Sequence, residues 1–215
     1  MPCGGSLMST ACCAVESRKT SLGEILIEGP LEAAKLEELS MNNKLTVFRP
    51  PAKQKEALAA IAGLPEGMVY IARYGREIVG YVTFHYPDGF SRWSKHSTVL
   101  ELGGIEISPD WRQRGIGVAL LREAFNNPLM ENHIIVTVEF CWHWDLKSSG
   151  LDLFTYQKML ARLFGSVGLS RRDTDDPDII EHPANVLMVR IGANVSCEDN
   201  MKFDDMLFED SGYKI

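Results

Sequence analysis

Residues 105–121 of this 215-residue chain read IEISPDWRQRGIGVALL. A strand-like apolar run ends at a Ser-Pro-Asp break, and an Arg-x-x-Gly-x-Gly loop then leads into a segment with the apolar spacing of a helix. The glycines let the backbone turn so that successive N–H groups face one point, and the following helix adds the positive end of its dipole. The stretch therefore predicts an anion site at a strand-to-helix turn, with room for a pyrophosphate.

The same loop differs from two other phosphate-binding motifs. A kinase-type P-loop requires a Gly-Lys-Ser/Thr sequence, which does not follow here. A dinucleotide fingerprint needs a third glycine and an acidic residue about 20 positions later, and the loop matches that pattern poorly. The remaining alternative is an ordinary strand-to-helix turn, and the strand and helix signals on either side of the loop favour the anion site over it.

Composition and charge exclude several classes of protein. A hydrophobic fraction of 45% and a charged fraction of 24% are ordinary for a globular protein. The net charge of −7 argues against a nucleic-acid partner. No apolar run approaches the roughly 18 residues of a membrane span, and residues 1–19 lack the apolar core of a signal peptide. An odd number of cysteines with no zinc spacing indicates reduced thiols, a cytoplasmic location and no metal site. The cysteines are Cys3, Cys12, Cys13, Cys141 and Cys197.

Three segments are expected along the chain. Residues 1–20 are expected to form a disordered arm, residues 21–192 the folded domain and residues 193–215 a helical tail. Within the domain, two apolar runs around Gly75-Arg76 predict a hairpin. Additional strands are predicted at 22–28, 99–107, 134–140 and 186–191, and helices at 31–39, 53–62, 118–125 and 151–164.

The strand, Arg-x-x-Gly-x-Gly loop and helix together resemble the acetyl-CoA-binding motif of the GCN5-related N-acetyltransferase (GNAT) superfamily. The motif falls on Arg112, Gly115 and Gly117. The resemblance covers roughly residues 25–192 and implies an α+β acyl-CoA N-acyltransferase fold, with a mixed, mostly antiparallel sheet and helices on both faces. It also implies an enzyme that transfers the acetyl group of acetyl-CoA to an amine.

The resemblance implies where acetyl-CoA would lie. In this superfamily the fourth and fifth strands splay apart, and the pantetheine arm bonds to backbone exposed between them, which corresponds to residues 102–107. The pyrophosphate would rest on the N–H groups of residues 113–117, helped by Arg112 and Arg114. The residues expected to contact the cofactor are Ile105, Glu106, Ile107, Arg112, Gln113, Arg114, Gly115, Ile116 and Gly117.

Three residues are candidates for the general base. A lysine amine has a pKa near 10.4 and is almost fully protonated at pH 7, so transfer needs a group that takes its proton. Glu101 is the first candidate, because a glutamate at this strand position is the base in GCN5-type lysine acetyltransferases. Glu106 is the rival; regular alternation places it on the opposite face, but a bulge at Gly103-Gly104 would reset that parity. His143 is the third, in a Trp-His-Trp-Asp cluster that either cages a lysine or packs as a structural corner.

The chain departs from the superfamily at one position. Many members carry a Leu-Tyr-x-x-x-Gly-Phe pattern whose tyrosine protonates the leaving thiolate. The matching run here is LFGSVGL, residues 163–169, which places Phe164 at the tyrosine position. A phenyl ring cannot donate a proton, so the thiolate would take one from water or another group. Tyr156 lies two turns earlier and is expected to belong to the core.

Four more stretches, residues 48–51, 61–67, 142–147 and 182–185, resemble a narrower group, the acetoin-utilisation acetyltransferases of Bacillus-type bacteria. That resemblance implies a protein substrate, acetyl-CoA synthetase, which such an enzyme inactivates by acetylating a lysine. Two alternatives stay open. A small-amine N-acetyltransferase would bury its acceptor in a closed acidic pocket, and a non-catalytic acetyl-CoA-binding regulatory protein would not need the missing tyrosine.

Overall fold

The computed structural model describes residues 14–209, and this range forms one nine-stranded sheet flanked by helices. The strands are β1 (Ala14–Thr20), β2 (Gly23–Gly29), β3 (Ser40–Met41), β4 (Met68–Tyr74), β5 (Glu77–His85), β6 (Val99–Ile107), β7 (Ile134–Glu139), β8 (Ser170–Arg172) and β9 (Val186–Ile191). The helices are α1 (Ala33–Glu37), α2 (Pro51–Ala62), α3 (Ile116–Phe125), α4 (Leu146–Ser149), α5 (Leu153–Gly165), α6 (Pro177–Ile180) and α7 (Cys197–Met206).

The sheet is mixed and mostly antiparallel. Its strand order is β1-β2-β4-β5-β6-β7-β9-β8, and the short β3 pairs with β5. Among the described strands only the β6–β7 and β3–β5 pairs are parallel. The β4–β5 hairpin and the β6–α3 passage lie where the sequence predicts them.

Helices cover both faces of the sheet. On one face, α3 and α5 pack on the central strands and bury a large apolar cluster that includes Leu120 and Phe164. On the opposite face, α1 and α2 cover one end through Leu36 and Leu58, while α6 and α7 cover the other end. The predicted α+β fold with helices on both faces is therefore confirmed.

The N-terminal segment differs from its prediction. Residues 14–20, expected to belong to a disordered arm, form β1, which pairs antiparallel with β2 from Ala14↔Gly29 to Thr20↔Gly23. The prediction fails there because an edge strand needs no apolar alternation of its own when its neighbour supplies the hydrogen bonds. Residues 1–13, with Cys3, Cys12 and Cys13, lie outside the described residues.

The C-terminal segment packs onto the sheet. Helix α7 occupies Cys197–Met206, within the stretch for which a helix is predicted. Phe203 is fully buried, and its ring lies 5.6 Å from that of Trp93. In residues 14–209 no helix combines the length and apolar character needed to cross a bilayer.

Candidate active site

A bulge in β6 brings Glu101 and Glu106 to one face of the sheet. In the β5–β6 ladder Thr83 pairs with Gly104 while Phe84 pairs with Leu102, so Gly103 is an extra residue. Glu101 lies opposite His85, and Glu106 lies opposite Tyr81. His85 and Tyr81 are four positions apart on β5 and share a face, so their partners on β6 share it too. The predicted bulge is confirmed, and it reverses the parity of a regular strand.

Strands β6 and β7 separate beyond this point. Their parallel pairing covers Val99↔Ile134, Leu100↔Ile135 and Glu101↔Val136 and then stops. Residues 102–107 of β6 therefore have no ladder partner on β7, although both strands continue. The result is a slot edged by backbone groups of β6 that have no ladder partner on β7, and a ligand with amide groups could bond to it.

The glycine loop forms a cradle of backbone N–H groups. Gln113 has φ 59° and Gly115 has φ 71°, and α3 begins at Ile116. Among the hydrogen bonds of the described residues, none is donated by the backbone N–H groups of residues 113–118. Donors gathered at the start of a ten-residue helix match the needs of an anion. The loop therefore fits the pyrophosphate of an acyl-CoA.

The two arginines of the loop are held by protein groups. Arg112 donates from Nε to the carbonyl of Ile107 at 2.9 Å, and its Nη1 lies 2.8 Å from Oδ2 of Asp145. This ion pair ties the glycine loop to the segment after β7. Arg114 donates from Nη1 to the Ser21 hydroxyl. A phosphate role for either arginine stays a prediction.

The carboxylate of Glu106 has a structural role. It is 3% exposed, and one oxygen accepts a hydrogen bond from the N–H of Val47 at 3.0 Å while the other accepts from the Tyr81 hydroxyl at 2.8 Å. Burial raises the pKa of the Glu106 carboxyl, and these two donors oppose the shift. The carboxylate thus anchors the segment before α2.

The carboxyl of Glu101 has fewer partners than that of Glu106. It is half-buried, and within the described range no hydrogen bond or ion pair engages its side chain. Burial raises the pKa of the Glu101 carboxyl, the His85 ring opposes that shift and the Asp88 carboxylate adds to it. A partly desolvated carboxylate with a raised pKa is better suited to take a proton near neutral pH than an ordinary surface glutamate.

His85 is a neighbour of Glu101 that the sequence analysis missed. Its Nδ1 lies 2.7 Å from the carbonyl of Tyr86, which requires a proton on Nδ1 and leaves Nε2 as the acceptor in the neutral ring. A Cβ at Gly103 would overlap Nε2, so the bulge glycine makes room for this ring. In the sequence, His85 is visible only as a histidine at the end of a predicted strand. The β5–β6 register is what places it opposite Glu101.

His143 lies in an aromatic group at the mouth of a cleft of about 480 Å³. Its ring makes edge contacts with Phe48, Phe140 and Trp142 at 6.2, 6.1 and 6.0 Å between centroids. Trp142 stacks on Phe140 and is 54% exposed. The cleft is lined by Asn43, Lys44, Thr46, Val47, Pro109, Trp142, His143, Trp144, Asp145 and Ser148.

The region of the missing tyrosine is apolar. Phe164 is fully buried, and Tyr156 is half-buried with its ring stacked 5.4 Å from that of Trp144. Glu139, which the sequence analysis did not single out, lies with Trp144 and Phe164 at a narrow cavity under α5. Burial raises the pKa of Glu139 to about 7, and the Thr137 hydroxyl, which donates to it at 2.9 Å, opposes the shift.

The described residues contain no group of three His, Cys, Asp or Glu side chains arranged to hold a metal ion. The groups around the slot that can do chemistry are carboxylates, imidazoles and backbone donors.

The family model of the GNAT acetyltransferases matches residues 34–133, which include strands β3 to β6, the glycine loop and helix α3. The GNAT domain of PAT from S. lividans shares the fold, with a TM-score of 0.51 at 13% identity over 82% of this chain and 96% of that one. Together with the nearer relatives below, these matches place the chain in the GNAT family, and it is an N-acetyltransferase. The co-substrate of that family is acetyl-CoA.

Nearer relatives are acetoin utilization proteins. The acetoin utilization protein AcuA of Bacillus licheniformis and that of Bacillus subtilis are each 47% identical to this chain over 192 residues, which cover 88% of this chain and 91% of the relative. The crystal structure of an acetoin utilization protein from Exiguobacterium sibiricum has a TM-score of 0.88 at 43% identity and covers 93% of this chain and 97% of that one. The predicted resemblance to both groups is confirmed.

Proposed function

We propose that this chain is an acetyl-CoA-dependent protein lysine N-acetyltransferase of acetoin and acetate metabolism, and that it acetylates and inactivates acetyl-CoA synthetase. The acetoin utilization proteins support the metabolic setting by their names. The observation that carries the catalytic part is the place of Glu101, a carboxyl without a hydrogen-bond partner in residues 14–209, at the point where β6 and β7 separate.

The cofactor would be held mainly by backbone. The N–H groups of residues 113–117 would bind the pyrophosphate, and the backbone of residues 105–107 that faces the slot would bond to the pantetheine arm beside the Ile107 carbonyl, which accepts from Arg112. Acetyl-CoA supplies an activated acetyl group as a thioester. The slot would direct that group toward the end of the β6–β7 pairing, which is next to Glu101.

Glu101 would act on the acceptor from the far side of the slot. Its carboxylate would take the proton of the lysine ammonium, directly or through one water, so that a neutral amine faces the acetyl group. His85, the cross-strand partner of Glu101, would share that proton through its free Nε2. The chain places a phenyl ring at Phe164, so the departing thiolate would be protonated from water.

The acceptor would approach over the aromatic rim. Phe48 and Trp142 flank His143 there, and an aromatic surface can hold the aliphatic stem and the charge of a lysine. Loss of the lysine charge removes a group that pairs with phosphate or carboxylate, which explains how acetylation would silence an adenylate-forming synthetase. Such an enzyme spends acetyl-CoA to stop its own production, a negative feedback.

The test of the substrate combines this protein, acetyl-CoA and purified acetyl-CoA synthetase. Mass spectrometry should map acetyl-lysine on the synthetase, and synthetase activity should fall in parallel. Acetylation of free polyamines or amino acids with an unmodified synthetase would establish the small-amine alternative. Binding of acetyl-CoA without transfer to any acceptor would establish the regulatory one.

The test of the base is Glu101→Gln. Turnover at neutral pH should fall by about 10²–10⁴, the usual effect of losing a general base, while acetyl-CoA affinity stays unchanged. Because the carboxylate form of Glu101 is the active one, the wild-type rate should rise as the pH passes the raised pKa of Glu101. The variant should not show that rise. Glu37→Gln, an exposed glutamate on α1, is the matched control. Wild-type turnover in Glu101→Gln would transfer the role to Glu106 or His143.

A further inference from the structure

The β1–β2 hairpin reaches the glycine loop. Its turn is closed by the Thr20 hydroxyl, which donates to the carbonyl of Gly23 at 2.8 Å. Beside that turn, Arg18 donates from Nε to the carbonyl of Arg114 at 3.1 Å, and Arg114 donates back to the Ser21 hydroxyl. The hairpin and the loop are therefore joined by hydrogen bonds in both directions.

The guanidinium of Arg18 lies directly against the cradle. A Cβ added to Gly115 would stand 2.5 Å from Nη2 and 3.1 Å from Cζ of Arg18. The side chain of Arg18 is half-buried, and residues 14–209 offer it no carboxylate partner. By contrast, Arg112 is neutralised by Asp145 at 2.8 Å. A partly desolvated cation that has no counter-ion and borders a set of free N–H donors favours an anion at the same place.

We propose that Arg18 is a phosphate ligand of the cofactor, and that its guanidinium binds the pyrophosphate of coenzyme A together with the N–H groups of residues 113–117. This inference rests on the proposed cofactor. It adds a residue from outside the glycine motif, and it makes β1 a functional part of the cofactor site.

The geometry separates Arg18 from Lys19, the other cation of the strand. Side chains alternate along β1, and Lys19 is the exposed neighbour on the opposite side. Lys19→Gln removes the same charge from the same strand without touching the loop, so it is the matched control. Arg18→Gln removes the charge and the fork of donors but keeps much of the side-chain length, and Arg18→Lys restores the charge alone.

The experiment is calorimetric titration of the full chain with coenzyme A and with dephospho-coenzyme A, which keeps the pyrophosphate but lacks the 3′-phosphate. Arg18→Gln should weaken both ligands by about tenfold, the effect of one partly exposed charge-assisted contact. Arg18→Lys should fall between that variant and wild type, and Lys19→Gln should bind as wild type does. Thermal unfolding of the apo proteins should lower the melting temperature of Arg18→Gln by only about 2–4 °C, the effect of losing the bond to the carbonyl of Arg114, so that the variant is still folded when it is titrated.

Three results would overturn the inference. Equal affinity of Arg18→Gln and wild type would show that the guanidinium makes no phosphate contact, and the proposed cofactor would still stand. A loss with coenzyme A but not with dephospho-coenzyme A would move the contact to the 3′-phosphate and refute the pyrophosphate assignment. Absence of binding by the wild-type chain would remove the proposed cofactor and this inference together. If Arg18→Gln is unfolded at the temperature of the titration, Arg18→Lys takes its place. Wild-type affinity in a stably folded Arg18→Lys would contradict binding of the pyrophosphate by the donor fork of the guanidinium.

Discussion

The two glycines of the Arg-x-x-Gly-x-Gly loop should respond differently to the same small change, Gly→Ala. Gly115 has φ 71°, a left-handed conformation that costs a residue with a Cβ about 1–2 kcal/mol. The new methyl group would also stand 2.5 Å from Nη2 of Arg18 and displace it. Losing the 3.1 Å bond from Arg18 to the carbonyl of Arg114 costs about 1 kcal/mol more. Gly115→Ala should therefore lower the free energy of unfolding by about 2–3 kcal/mol.

Gly117→Ala provides the internal control. Gly117 lies in the first turn of α3 with an ordinary helical φ, and a Cβ there would lie 3.5 Å from Cδ1 of Leu163, a normal van der Waals distance. Alanine in a helix loses less backbone entropy on folding than glycine, by roughly 0.5–1 kcal/mol. This variant should keep or slightly raise the free energy of unfolding.

Urea unfolding of both variants and wild type, followed by far-UV circular dichroism, measures the difference. Calorimetric titration with acetyl-CoA should also show weaker binding for Gly115→Ala, because the strained loop no longer aims its N–H groups at one point. An equal loss of stability in both variants, or no loss in Gly115→Ala, would refute the argument from backbone conformation.

Two further predictions concern ionisable groups. The folded state raises the pKa of Glu139 from 4.5 to about 7, so it binds a proton more tightly than the unfolded chain and loses stability as pH rises through that window. In denaturant titrations, the free energy of unfolding of Glu139→Gln should therefore rise by about 3 kcal/mol relative to wild type between about pH 4 and about pH 8, and a pH-independent difference would contradict this. Asp145→Asn should lower the free energy of unfolding by about 1–2 kcal/mol, since it leaves the half-buried Arg112 without its partner. In a double-mutant cycle with Arg112→Gln, strictly additive effects would show that the pair is not coupled.

The passage from β6 to α3 was predictable because its backbone requirements fall on residue types that reveal them. Only glycine adopts the φ of Gly115 at low cost, and paired glycines inside a strand commonly mark a bulge, here at Gly103. The core helices and the β4–β5 hairpin carry their own apolar periodicity. These elements are specified locally, so reading the chain alone located them.

Strand β1 was missed because nothing in Ala14–Thr20 is periodic. The segment reads AVESRKT, and it is a strand because β2 offers it a complete ladder of backbone partners. Polar and charged side chains are common on an edge strand, where they also discourage pairing with other chains. The contact of Arg18 with the glycine loop joins residues 96 positions apart, and no local pattern encodes it.

The choice between Glu101 and Glu106 shows which information a strand pattern lacks. In a regular strand, alternation of side chains would put the two residues on opposite faces. The bulge puts both on one face, so alternation does not decide which carboxylate meets the acceptor. The two carboxylates differ in their hydrogen bonds. One oxygen of Glu106 accepts from the N–H of Val47, in the segment before α2, and the other accepts from the hydroxyl of Tyr81 on β5. Each oxygen of Glu106 keeps a second lone pair, but the two donors stabilise its charged form and oppose proton uptake, whereas the carboxyl of Glu101 accepts no hydrogen bond in the described structure. Glu106→Gln should accordingly disturb the loop before α2, and Glu101→Gln should disturb the chemistry.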